Sequence, residues 1–290
     1  MGKGGVGKST SSTLFSLSLV QNGHKVALIS MDPAHNLSDI FRIPLSDRPS
    51  QLEKGLQVME VDQEKWIRDY LKDIQQQIQR SYAYLTSFNL LHYFDVIRFS
   101  PGLEEYALIL AFQKIRQQFS TYDYLVFDMP PTALALKFFN LPLLSLIWTD
   151  KLLTLRKEII EKRKLITRIK LLRKERETDK VLNRIGEQQA LFSDLKEMFS
   201  DHQSTRVNLV LNPDDLSFSE SIRIIERLQE MSIAVNQLLL NKTRSLSENA
   251  TIEKAYPRIP LERIPLSETE LNGAETLKNF LANNPIQFRY

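Results

Sequence analysis

Met1-Gly2-Lys3-Gly4-Gly5-Val6-Gly7-Lys8-Ser9-Thr10 opens the chain, and the reading of this stretch decides the fold. Gly2, Gly7, Lys8 and Ser9 fill the pattern G-x-x-x-x-G-K-[ST], in which backbone N–H groups of a glycine-rich loop surround phosphate oxygens and the lysine reaches the outer phosphates. In that pattern the hydroxyl of Ser9 holds Mg²⁺. A helix has to follow at once, and Ser9 to Val20 carries Leu14, Leu17 and neighbouring apolar residues at helical spacing before Asn22-Gly23 signals a turn. The helix N-terminus then faces the phosphate. Lys3 is a second lysine inside the loop, beyond what the pattern needs.

Composition narrows the class. The chain has 290 residues, 42% of them hydrophobic, enough for a sizeable core in one large domain or two. It contains no cysteine and four histidines, which excludes disulfides, thiolate catalysis and cysteine-held zinc and argues against a transition-metal site. A net charge of +3 is too small to imply a nucleic-acid partner. No uninterrupted run of 18 apolar residues occurs and the start has no signal-peptide layout, so a cytoplasmic location is expected. Val6 stands where a myristoylation signal requires Ser or Thr.

Five apolar runs read as strands: 26–30, 56–61, 124–128, 207–212 and 235–240. Val26-Ala27-Leu28-Ile29-Ser30 is apolar enough to be buried on both faces, as strands of a parallel sheet are. Helical patterns such as Phe218 to Met231 alternate with these runs, which predicts an α/β fold with a mainly parallel sheet. The chain is thus expected to be a single nucleotide-binding domain over 1–290, with helical insertions at about 62–119 and 143–205. In the first insertion Trp66, Ile67, Tyr70, Leu71, Ile74, Ile78, Tyr82 and Leu85 form an amphipathic stripe, suited to packing on its own lobe or to binding a client. In the second, Leu152, Leu155, Ile159, Ile166 and Ile169 lie among basic residues. Residues 151–176 hold eleven Lys and Arg against three Glu, so the helix is either a solvated face or a docking element for an acidic surface.

Phosphoryl transfer needs a phosphate cradle, a metal holder, a group that orients water and a cation for the transition state. Lys8 with the loop from Gly2 to Thr10 supplies the cradle. Asp128, at the end of Tyr124-Leu125-Val126-Phe127, is placed to reach Mg²⁺ together with Ser9. Asp32 and Asp39 follow the strand 26–30, where a carboxylate can orient water or contact the metal.

Gly2-Lys3-Gly4-Gly5-Val6-Gly7-Lys8-Ser9, followed by Asp32-Pro33-Ala34-His35-Asn36-Leu37-Ser38-Asp39, resembles the deviant-Walker-A ATPases of the arsenite-pump and tail-anchored-protein-targeting (ArsA/Get/TRC) family. The resemblance continues in Ser100-Pro101-Gly102-Leu103-Glu104-Glu105, in the second switch Phe127-Asp128-Met129-Pro130-Pro131-Thr132, in Val235 to Asn241 and in Ile264-Pro265-Leu266. It implies a P-loop NTPase fold of the SIMIBI type, ATP and Mg²⁺ as cofactors, and a homodimer whose helical lobes move with the nucleotide cycle. It further implies that Lys3 crosses the dimer interface to the partner's phosphates, Asp32 positions the attacking water, Asp128 lies near Mg²⁺, and Asn241 and Pro265 contact the nucleotide.

Some positions depart from the family pattern. Met1 directly precedes Gly2, where family members run a buried strand into the loop, so a strand of about five residues is expected in the coding sequence upstream. Met129-Pro130 and Ala133-Leu134-Ala135 replace the usual residues of the second switch. Without cysteine there is neither the metalloid site of the arsenite branch nor the zinc site of the eukaryotic targeting factors. The expected function is ATP hydrolysis that opens and closes a dimer for a hydrophobic, tail-anchored membrane segment. The alternatives are an ATPase subunit energising a membrane transporter, a MinD/ParA-like positioning switch, and a nucleotide binder with weak hydrolysis. A peripheral position at the membrane is compatible with each.

Overall fold

The computed structural model describes residues 1–34, 36–81, 102–169, 180–245 and 250–289. Helix α1, Lys8–Gln21, follows Gly7 directly and ends at Asn22-Gly23, and strand β1, Val26–Ser30, is buried at every position. Next come α2 (Asn36–Phe41), β2 (Ser50–Glu53), β3 (Leu56–Glu60), α3 (Gln63–Ser81), α4 (Leu103–Gln118) and β4 (Tyr124–Asp128). The chain continues through α5 (Thr132–Ile169), α6 (Lys180–Ser200), β5 (Val207–Leu211), α7 (Asp215–Glu230), β6 (Val235–Thr243), α8 (Ala250–Ala255), β7 (Leu261–Pro265) and α9 (Ala274–Asn283).

All five expected strands are present, and β2 and β7 join them. β2 is not legible as a strand because Ser50-Gln51-Leu52-Glu53 has a single apolar residue; it is an antiparallel edge, where only one flank needs a partner. The strands order as β2-β3-β1-β4 and β5-β6-β7, and every pairing except β2 with β3 is parallel. This is the α/β, mainly parallel arrangement of a P-loop NTPase.

Alternation along each buried strand sends its side chains into two cores. Ala27, Ile29, Met31, Met59 and Val61 join Leu209, Leu211 and the helices α4 to α7 on one face. Val26, Leu28, Leu56 and Val58 join Val210, Leu239, α1 and α9 on the other. Both cores span both sheets, so the two sheets lie edge to edge as one layer.

The first helical insertion contains α3 and α4. Ile67 is buried against Leu103 and Ala107 of α4, with Trp66, Tyr70 and Leu71 packed at the margin, so that part of the stripe packs on its own lobe. Tyr82, Leu85, Ser100 and Pro101 lie outside the described residues, as does the side chain of Ile78. In the second insertion α5 starts at Thr132 and runs through Pro142 to Ile169, so the backbone has no break at 143. Residues 170–176 of the basic stretch and the side chains of Ile166 and Ile169 also lie outside the described residues.

Between β4 and β5 lies a cavity of about 660 Å³, lined by Tyr124 through Met129 on one side and Val207, Asn208 and Val210 on the other. Met1 stands at its end. The Met1 α-amino group donates to the carbonyl of Asn208 at 2.8 Å, and the amide of Val210 donates to the Met1 carbonyl at 2.8 Å. Two bonds flanking Leu209 make a parallel rung, so Met1 is in register with β5. Burial drives its amino group down to about 5. The slot is bounded by two strand edges and fits an extended segment running parallel to both. Fusing five apolar β-branched residues ahead of Met1 is therefore expected to raise Tm by about 10 °C, a gain of a few kcal/mol in a domain of this size. Thermal denaturation checks this, and an unchanged Tm would mean that the edges do not accept a strand.

Candidate nucleotide-binding and hydrolysis site

The loop between Met1 and α1 is shaped by its glycines. Gly2 has φ 152° and a Cβ there would stand 2.1 Å from the Val210 carbonyl oxygen, while Gly7 has φ 89° and a Cβ there would stand 2.3 Å from Asn241 Nδ2. Two contacts thus press the loop from below. The Asn241 amide donates to the Val6 carbonyl at 2.8 Å, and Lys242 Nζ donates to the Gly5 carbonyl at 3.3 Å. Gly4 and Gly5 are exposed on the open side, where an added Cβ would meet nothing within 4 Å. The first turn of α1 carries no acidic residue, so its free amides and positive dipole end remain available to an anion. Thr10 lies in that turn.

Lys8 and Ser9 are both buried at the start of α1, and Lys8 Nζ donates to the Lys3 carbonyl at 3.4 Å. Lys3 itself is half-buried in the loop. Opposite α1, Asp128 ends β4 at 2% exposure, and among the described residues neither of its buried carboxylate oxygens has a hydrogen-bond partner. Burial pushes this carboxyl up to about 6. The Ser9 hydroxyl, near enough to act without making a hydrogen bond, offsets part of that rise together with the Met1 amino group and Lys8, whereas Asp32 adds to it. Asp128, Ser9, Lys8 and Asp32 therefore share one electrostatic environment. A desolvated carboxylate with two unused oxygens beside a serine hydroxyl fits Mg²⁺, which takes hard oxygen ligands and keeps some of its waters.

Asp32 is 6% exposed, and its Oδ1 accepts from the Ala34 amide at 3.0 Å, closing a small turn. Asp39, by contrast, stands exposed on α2. His35 lies outside the described residues. Asn241 reaches the loop, with its amide nitrogen spent on the Val6 carbonyl. Pro265 ends β7 in register with Thr243, at the same C-terminal edge of the sheet, where open α/β sheets bind their ligands.

Two residues near this edge are not singled out by sequence reasoning. Lys242 looks like an ordinary strand residue, yet it adopts φ 59°, which turns the chain toward the loop. Glu60 ends the apolar run Leu56-Gln57-Val58-Met59 just as Asp128 ends Tyr124 to Phe127, and that parallel was the available signal. In register, Glu60 and Asp128 flank Ser30 across β1.

A phosphate-type loop on a helix N-terminus, a desolvated carboxylate opposite it and an asparagine propping it from β6 form one constellation. A family model described as anion-transporting ATPase matches residues 1–283. The chain belongs to that family. Among its relatives is a protein of Aquifex aeolicus named as an arsenical pump-driving ATPase 2, 29% identical over 96% of this chain and 95% of the relative. The ATPase get3 of Aspergillus terreus is 30% identical over 96% of this chain and 87% of its own. A third, from Chlorobaculum tepidum and again named for an arsenical pump, is 26% identical over 96% of this chain and 72% of its own. This anion-transporting ATPase family member is thus an ATP-hydrolysing enzyme, and the bound group to consider is a nucleotide.

Proposed function

We propose that the chain hydrolyses MgATP in a homodimer and uses the cycle to open and close a groove with an apolar stripe for a hydrophobic membrane-protein segment. The observation that carries this reading is a groove of about 1700 Å³ between α3, α4, α5 and α6. Its walls mix Trp66, Tyr70, Ile74, Leu110, Trp148, Leu152 and Ile185 with the charged residues Asp69, Lys72, Asp73, Lys114 and Arg184. Along α5, Trp148, Leu152, Leu155 and Ile159 recur every three or four residues, with Ile147 beside Trp148, and all five remain 43–69% exposed. A soluble protein rarely shows such a continuous apolar face unless something covers it. A volume of this order accommodates a few turns of an apolar helix about 10 Å wide.

The connection to hydrolysis runs along the chain. Asp128 ends β4, and Met129-Pro130-Pro131 leads straight into α5, whose face lines the groove. Thr132 Oγ1 donates to Glu220 of α7 at 2.7 Å, and Lys137 pairs with Glu105 of α4 at 2.9 Å, so the start of α5 is tied to both neighbouring helices. A shift of the second switch is thereby passed to α5. In the proposed cycle Lys8 and the loop amides hold the phosphates, while Ser9 and Asp128 would hold Mg²⁺, which would supply positive charge for the phosphoryl oxygens. Asp32 orients water, Lys3 supplies a cation across the dimer interface, and Asn241 with Pro265 contacts the nucleotide.

Ile147→Asp with Trp148→Asp is expected to abolish nucleotide-dependent capture of a tail-anchored peptide while leaving basal ATPase within about twofold, because an exposed apolar pair contributes little to the fold. Pull-down with ATP and with ADP measures this. Capture that survives the double substitution, or that ignores the nucleotide, sinks the client reading.

A second reading, an ATPase subunit docked on a membrane transporter, has its own observation. By length and composition Thr132–Lys162 could cross a membrane, and only 28% of its most apolar window is buried. Isolated polar residues interrupt this stretch, so a count of uninterrupted apolar runs does not mark it. Co-sedimentation with anionic vesicles separates the readings: the client reading expects vesicle binding to weaken when peptide occupies the groove. Both place the protein on the cytoplasmic side, soluble or peripheral.

A further inference from the structure

We propose that Glu60 is a positioning residue for hydrolysis: through Ser38 it clamps the segment that carries Asp32 onto the same row of the sheet that carries Asp128. This rests on the assignment of Asp32 to the attacking water. Glu60, Ser30 and Asp128 are paired in register across β3, β1 and β4, so their side chains leave the sheet on one face. That is the face covered by α1 and α2, because Val26 and Leu28, the alternate residues before Ser30, pack there. The site and Glu60 therefore share one side of one sheet edge.

The clamp has two ends. At the near end, the Asp32 amide donates to Ser30 Oγ at 3.3 Å and the Ala34 amide to Asp32 Oδ1 at 3.0 Å. At the far end, Glu60 is 2% exposed and accepts twice from Ser38, from its amide at 2.9 Å and from its hydroxyl at 2.7 Å. Ser38 in turn gathers the chain beyond α2. Its hydroxyl accepts from the Leu45 amide at 3.1 Å and its carbonyl from the Ile43 amide at 3.2 Å, while the Glu60 amide donates to the Ser46 carbonyl at 3.0 Å. The reversal includes Arg42 at φ 56°, a backbone conformation that non-glycine residues adopt only when their surroundings hold them there.

Asp32 thus sits on a short span between Ser30 and Ser38, with both ends pinned to paired positions of β1 and β3. Charge-assisted bonds from one buried carboxylate fix where that span lies, and a displacement on the order of 1 Å at a water-orienting group is enough to cost about a hundredfold in rate. Glu60 acts through the segment it holds.

The test compares Glu60→Gln, Ser38→Ala, Ser38→Thr and the double variant Glu60→Gln with Ser38→Ala, by kcat and KM for MgATP and by Tm. Glu60→Gln keeps the shape and loses the charge, so kcat is expected to fall about tenfold with KM within about twofold, the signature of a loss confined to the chemical step. Ser38→Ala should lose several-fold in kcat, Ser38→Thr should recover most of it by keeping the hydroxyl, and the double variant should be no slower than Glu60→Gln alone. Parental kcat in Glu60→Gln would overturn the proposal. So would a rise in KM at unchanged kcat, or an equal loss in Ser38→Ala and Ser38→Thr, which would mark a merely structural contact. If Glu60→Gln fails to fold, the two half-buried Ser38 variants carry the test. Failure of the Asp32 assignment itself would show separately, as parental turnover in Asp32→Ala.

Discussion

Lys3→Ala is expected to bind MgATP with nearly parental affinity and to lose turnover by about 10³-fold or more, the scale of a cation delivered to the transition state. The loop explains why binding survives. Its shape is set by the contacts of Gly2 with Val210, of Gly7 and Val6 with Asn241, and of Gly5 with Lys242, and the Lys3 side chain enters none of them. Only the Lys3 carbonyl is used, by Lys8 Nζ, and alanine keeps that carbonyl. Lys8→Ala gives the contrast, because a buried ammonium at the start of α1 is the cradle itself, and its loss should remove nucleotide binding. Turnover and ATP-dependent dimerisation should fall together in Lys3→Ala, read by phosphate release and by light scattering. Parental hydrolysis in that variant would refute the interface-lysine mechanism.

Asp128→Asn is expected to abolish Mg²⁺-dependent hydrolysis, by about a hundredfold or more, and at the same time to stabilise the nucleotide-free protein. The second effect follows from the desolvated carboxyl. Its pKa is raised in the fold to about 6 from an ordinary 3.8, so the native state binds the proton more tightly than the unfolded chain does. Stability on this account is unaffected below pH 4, falls as pH climbs between 4 and 6, and stays reduced above that. A rise of that size corresponds to about 3 kcal/mol at most. Near pH 7.5 without metal, Asp128→Asn should therefore melt about 5 °C above the parent, with the difference vanishing near pH 4. Adding MgATP should reverse the order, because the metal supplies the charge that the parent's carboxylate lacks. A lower melting temperature for the variant at pH 7.5 would mean that a partner already satisfies the carboxylate.

The groove reading and the Glu60 proposal concern different ends of the same sheet edge. Asp128 leads into α5 and the groove, whereas Asp32 leads into α2 and the Glu60 clamp. Hydrolysis that depends on both carboxylates would bring both segments under one nucleotide. The slot between β4 and β5 bears on this, because Tyr124 to Asp128 form one of its walls. A strand placed there would stiffen the support of Asp128 and of the loop together.

The sequence by itself determined the class of fold, the phosphate loop and where along the chain the main strands lie. These are local properties: G-x-x-x-x-G-K-[ST] sets backbone geometry within eight residues, and an uninterrupted apolar run such as Val26 to Ile29 has nowhere to go but a sheet covered on both faces. Asp32 and Asp128 were legible for the same reason, as carboxylates at the ends of such runs. Asp39 was legible only as a candidate, since residue spacing does not say which face of a six-residue helix meets solvent. Tertiary structure alone decided that Asn241 props the loop through Val6, that Glu60 reaches across to Ser38, and that Met1 stands in a slot between two sheets. Each of these depends on strand register, on which residue of one strand lies opposite which residue of another, and register is fixed by the packing of both cores at once rather than by any one segment.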